Sequence, residues 1–125
     1  MVFEAGRWIL ELSDSTRQYL QVAVKAAQDK LGVNPVAILV GERTPFTDVF
    51  LVVSASSGRQ VQAIANEVTD KVLEAGGRRP RVESGEELSW ILMDFGDFVV
   101  HVQLDEQREF YALERLWADC PILEL

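Results

Sequence analysis

The chain has 125 residues, 48% of them hydrophobic and 26% charged, which is the size and balance of one globular domain with a single core. The formal net charge is −8, and the excess lies in the C-terminal third: from Glu83 to Leu125 eleven acidic residues face only Arg108 and Arg115, leaving the part before it close to neutral. No basic stripe is present to grip phosphates and no run is apolar enough to cross a bilayer, so sequence-specific nucleic-acid binding and a membrane partner are set aside. A basic protein partner fits the acidic C-terminal part, although solubility alone would also account for it.

Residues 1–12 have no clear period, and no basic leader with a small-residue cleavage site follows, so they are expected to form a poorly ordered extension without a secretion signal. The lone Cys120 cannot make an internal disulfide and points to a reducing cytosol. Ser13 or Asp14 starts a helix that runs to about Lys30, with Leu20, Ala23, Val24, Ala27 and Leu31 as its apolar stripe and Gly32 as its stop. Val36–Val40 and Asp48–Ala55 read as strands covered on both faces, joined by a connection containing Pro45. Ser56-Ser57-Gly58-Arg59 opens a second helix through Val61, Ile64, Val68 and Val72, ended by Gly76-Gly77. Its serines cap the helix or hold an anion, and capping is the commoner role. Arg78-Arg79-Pro80-Arg81 is a solvated basic turn, and Arg81–Glu83 is a short strand before a polar loop.

Trp90 to Leu104 then reads as a hairpin turning at Asp94-Phe95-Gly96-Asp97. With Phe95 and Gly96 as loop residues, Trp90 faces His101, Leu92 faces Val99 and Asp94 faces Asp97 on one side, while Ile91 meets Val100 and Met93 meets Phe98 on the other. The second side is wholly apolar and belongs against a core. The first combines an indole, an imidazole and carboxylates, which a core rejects when they are unpaired, so it is the candidate working surface. Asp105 caps a closing helix to Trp117, with Phe110, Leu113, Leu116 and Trp117 on one face, and Pro121 stops it. The order of elements gives an α/β fold: a single-domain sandwich with a mixed β-sheet flanked by helices.

Catalytic patterns are missing. Asp94-Phe95-Gly96 spells a kinase tripeptide without the glycine-rich loop, strand lysine or catalytic loop that kinases need. One His and one Cys supply no metal cluster, and no phosphate loop or dinucleotide fingerprint is present, so no cofactor is expected. Asp94 and Asp97 are more simply the legs of a turn than a magnesium site.

Several ordered motifs resemble the ribosomal silencing factor family, also called Iojap-like: Thr47-Asp48, Ser54 to Val61, Trp90 with Asp94-Phe95-Gly96-Asp97, Val99-Val100-His101-Val102, and Phe110 to Trp117. The resemblance spans about residues 13–121, leaving 1–12 as an extension and 122–125 as a tail. It implies a nucleotidyltransferase-like α/β domain without catalytic residues. It also implies binding to the large ribosomal subunit through ribosomal protein L-fourteen, which obstructs joining of the small subunit and lowers translation when nutrients are scarce. Carried over by position, the partner-facing residues are Trp90, Asp94, Phe95, Gly96 and Asp97, with His101 beside them. Ala55-Ser56 stands where the family usually has Gly-Thr, and Ser84 precedes Gly85 where a Gly soon follows the Glu matching Glu83. Two other readings stay open: a vestigial nucleotidyltransferase using Ser57, Asp48 and Asp94, and a homodimeric scaffold that buries the Trp90 face against its own copy.

Overall fold

The structure, a computed structural model, describes residues 12–85 and 87–125; the expected N-terminal extension, apart from Leu12, lies outside them. Helix α1 spans Asp14–Asp29, strand β1 Val33–Leu39, β2 Val49–Ala55, α2 Gly58–Glu74, β3 Arg81–Ser84, β4 Trp90–Asp94, β5 Phe98–Leu104, α3 Asp105–Tyr111, α4 Leu113–Leu116 and β6 Ile122–Leu123. The strands form one sheet in the order β3-β4-β5-β2-β1-β6, in which only β2 and β5 run parallel. This is the expected mixed sheet. Strand β6 falls in the stretch that sequence alone leaves as a tail, because two residues are too few to show an alternation.

Local chemistry sets the helix ends. Ser13 Oγ accepts the Thr16 N–H at 3.0 Å and Ser57 Oγ accepts the Gln60 N–H at 3.2 Å, so both helices begin on serine caps. At the end of α1 the left-handed residue is Leu31 (φ 66°) rather than Gly32, and the Gly32 and Leu31 N–H groups close back on Ala27 O and Gln28 O. Gly32 serves close approach instead, since a Cβ there would lie 2.7 Å from Val53 Cγ1. Leu31, expected in the apolar stripe, is therefore turned out and 75% exposed.

Helices α1 and α2 cover one face of the sheet. Leu20, Ala23 and Ala27 of α1 and Val61, Ile64 and Val68 of α2 meet Leu51, Val53, Ile91, Met93, Val100 and Val102, all buried. The other face carries Ile38, Val52 and Phe50 under the C-terminal segment, with Leu113, Trp117 and Cys120 packed on them. That segment is not the single helix expected. Ala112 is left-handed (φ 46°) and splits it into α3 and α4, so Phe110 (80% exposed) and Leu116 (62%) leave the face that Leu113 keeps buried. Asp105 is the first helical residue and not the cap; Leu104 holds that position without a side-chain bond.

The hairpin register also differs from expectation. Trp90 pairs with Gln103, Leu92 with His101, Met93 with Val100 and Asp94 with Val99. The Phe95 N–H donates to Phe98 O at 2.9 Å, which makes Gly96 and Asp97 the loop residues. Gly96 has φ 93°, a conformation that Phe95 would adopt only under strain, so the turn slides one residue along the chain. A one-residue slide of the turn moves each partner by two. The side on which each residue points is unchanged, and the chemically mixed face survives the error. Gly96→Ala is expected to lower stability by about 1–2 kcal/mol in urea unfolding, from the positive φ and from a Cβ driven into the Arg78 guanidinium.

Candidate partner-binding face

Across the strands the mixed face forms rows. One row runs Arg81, Asp94, Val99, Phe50, Ile38; the next runs Glu83, Leu92, His101, Val52, Val36; a third holds Trp90, Gln103 and Ser54. The C-terminal cap of α3 and α4 covers the β1–β2 side and stops at Trp90. Arg108 anchors the cap: its Nη1 donates to Ser54 Oγ at 2.9 Å and to Val33 O at 3.3 Å, and its Nη2 pairs with Glu114 at 3.2 Å. Arg108 is 9% exposed, so this is a buried cation satisfied on several sides.

Trp90 sits half-buried at the rim of the cap. Its Nε1–H donates to His101 Nδ1 at 3.1 Å, and its ring lies against Tyr111 with centroids 4.9 Å apart. Because Nδ1 accepts, the imidazole proton sits on Nε2, which has no hydrogen-bond partner among the described residues. Burial pushes the His101 pKa from 6.5 down to about 4, so the ring is neutral at pH 7. Phe50 meets His101 edge-on at 4.9 Å and Trp117 at 5.1 Å, and the Arg43 guanidinium lies 4.3 Å over the Trp117 ring. A continuous aromatic band thus ties the indole to the cap.

The acidic rim follows at the turn. Asp94 is half-buried, and its Oδ1 accepts the Gly96 N–H at 2.8 Å, which holds the turn in shape. Asp97 is exposed, and its carbonyl accepts the Asp48 N–H at 3.0 Å. Burial and the neighbouring Asp97 raise the Asp48 pKa above the ordinary carboxylate value. The Arg78 Nε–H donates to Phe95 O at 3.2 Å behind the turn.

Of the six residues singled out in the sequence, Trp90, Asp94, Gly96 and Asp97 reach the surface, Asp97 beside a cleft on the helix side lined by Tyr19, Gly77, Arg78 and Phe95. Phe95 and His101 do not, each being 5% exposed. Phe95 points to the helix-covered face and stacks on Phe98 at 4.8 Å, while His101 lies beneath Trp90 and Phe50. Tyr111 and Arg108 were not singled out. Arg108 left a signal, being one of only two basic residues between Glu83 and Leu125, whereas Tyr111 left none beyond being aromatic.

The residues of the enzymatic alternative are not assembled. Asp48 precedes β2 and Ser57 follows it, so they stand at opposite ends of a seven-residue strand. The Ser56 donors ahead of α2 are also engaged, since Gln60 Oε1 accepts both the Ser56 N–H and Oγ–H at 2.7 Å. Among the described residues no group of three or more His, Cys, Asp or Glu side chains could hold a metal, and no helix is long and apolar enough to cross a membrane.

Comparisons with known proteins bear on the fold and the family. A ribosomal silencing factor of Halalkalibacterium halodurans is 40% identical over 111 residues, covering 89% of this chain and 95% of that protein. A crystal structure of a Chromobacterium violaceum protein superposes with a TM-score of 0.77 at 34% identity, covering 82% of this chain and 85% of that one. One from Bacillus halodurans gives 0.75 at 39% identity, with 87% and 99% covered. Residues 13–125 match the family model described as ribosomal silencing factor during starvation. On the match over nearly its whole length, the chain belongs to the ribosomal silencing factor family.

Proposed function

We propose that this protein represses translation in the cytosol by docking on the large ribosomal subunit at ribosomal protein L-fourteen and sterically keeping the small subunit away. The observation that carries the reading is the uncapped end of the mixed face. There a half-buried indole at one end of β4 and the Asp94–Asp97 turn at its other end flank half-buried Leu92, while α3 and α4 close the β1–β2 side of the face. A large aromatic at the centre with charge around it is the arrangement that concentrates binding energy, and carboxylates suit a basic ribosomal protein. Trp90, Asp94, Gly96 and Asp97 make the contacts. Phe95 and His101 position them from below. Occlusion is stoichiometric, so no catalytic group or cofactor takes part.

The test is co-sedimentation with separated ribosomal subunits. The protein travels with large subunits and not with small ones, and Asp97→Lys weakens the association at least about tenfold at low salt while leaving the fold intact. Equal sedimentation with both subunits, or none with either, rejects the reading.

A further inference from the structure

We propose that the turn Arg78-Arg79-Pro80-Arg81 grips the phosphate backbone of ribosomal RNA next to the protein contact, which rests on the docking reading above. Three of the chain's twelve Lys and Arg residues fall in these four positions. All three arginines are exposed, and none has an ion-pair partner among the described residues. Lys25, Arg43, Lys71 and Arg108, by contrast, each meet a carboxylate. In a chain of net charge −8, a cluster of guanidiniums without counter-charge is a local exception.

The fold builds this turn and aims it. Helix α2 ends at Glu74, Gly76 takes φ 99°, and the Gly77 N–H closes on Val72 O at 2.9 Å, which turns the chain back toward the sheet. Pro80 is buried and fixes its own φ just ahead of β3. The arginines then straddle the Asp94–Asp97 turn. Arg78 lies behind it, its Nε–H on Phe95 O at 3.2 Å and its guanidinium where a Cβ on Gly96 would stand. Arg81 pairs with Asp94 across β3 and β4, and opposed residues share a face, so its side chain stands on the mixed face next to that carboxylate. Acidic and basic groups thus lie side by side at one end of the sheet.

A basic protein alone does not fit both. The surface that accepts Asp94 and Asp97 repels guanidiniums set beside them, unless an adjoining anion takes those up. On a ribosomal subunit that anion is the RNA backbone. The cluster is wholly arginine, whose planar fork of donors matches phosphate oxygens. Such contacts position a protein and read no base edges. Three cations on an acidic chain are also too few to hold free RNA at physiological salt, so the contact forms only where protein docking has brought the backbone close. Two partners of opposite charge then fix the angle at which the domain sits.

The double variant Arg79→Gln with Arg81→Gln tests this and leaves Arg78 on the turn. Co-sedimentation with isolated large subunits is followed from about 50 to about 200 mM salt, together with hydroxyl-radical footprinting of the subunit RNA. The double variant is expected to bind about tenfold more weakly at low salt, with the slope of log affinity against log salt reduced by about one for each arginine removed. Arg79→Lys with Arg81→Lys keeps the charge and restores the slope. The native protein shields a short stretch of RNA backbone from cleavage, and the Gln variant at saturation leaves it cut. Native protein that binds large subunits without shielding RNA, or a Gln variant with unchanged slope and footprint, overturns the proposal and leaves protein docking standing. Native protein that sediments with neither subunit overturns the docking reading, and this contact with it.

Discussion

Trp90→Ala is expected to lower affinity for isolated large ribosomal subunits by about thirtyfold or more, roughly 2 kcal/mol, read as lost co-sedimentation. The size follows from the environment of the indole. It is half-buried, its N–H is bonded to His101, and it rests on Tyr111, so it is held in one orientation before any partner arrives. Truncation to Ala removes the contact area and also frees Tyr111 and the His101 acceptor. Trp90→Phe separates these effects, since a phenyl ring keeps a tilted ring contact with Tyr111 and loses the bond to His101. It is expected to fall between the native protein and the Ala variant. Native-like binding by a folded Trp90→Ala protein removes the indole from the docking surface.

A stability loss in mild acid is the second large expectation. The His101 pKa is held at about 4 by burial against an ordinary 6.5, so below pH 6.5 the unfolded chain takes up a proton that the folded chain refuses. Stability from this group is complete above pH 6.5 and is lost as pH falls toward 4. At the ordinary cost of about 1.4 kcal/mol per pKa unit, the loss approaches about 3 kcal/mol. Urea midpoints taken from pH 7.5 to 4 for the native protein and His101→Gln isolate the group. The native protein loses stability through that window, and the variant, with nothing to titrate there, loses less by about the same amount. Parallel curves would show that His101 is not buried neutral. Protonation also sets a second N–H donor against the Trp90 indole N–H, so acid loosens the indole from its seat.

The alternation of Trp90, Leu92 and Asp94 with Ile91 and Met93 was legible in the sequence, and so were the serine caps and the continuous apolar strand β2 that lies inside the sheet. The hairpin register was not, because it turned on which residue takes positive φ, and a one-residue slide of the loop keeps the same alternation. The break at Ala112 was hidden for a related reason. Alanine is the best helix former and gives no local warning, and the left-handed turn there is tolerated while Leu113 and Trp117 pack on the sheet and Arg108 anchors the cap.

By itself the sequence determined the kinds of element, their order, and which residues share a side of the sheet, since backbone periodicity dictates direction. Only the tertiary structure decided depth: His101 and Trp90 point the same way, yet the cap of α3 and α4 and the ring of Phe50 bury one and leave the other at the rim. Direction is a property of each residue's own strand. Burial depends on what distant segments bring to cover it, and no local pattern records that.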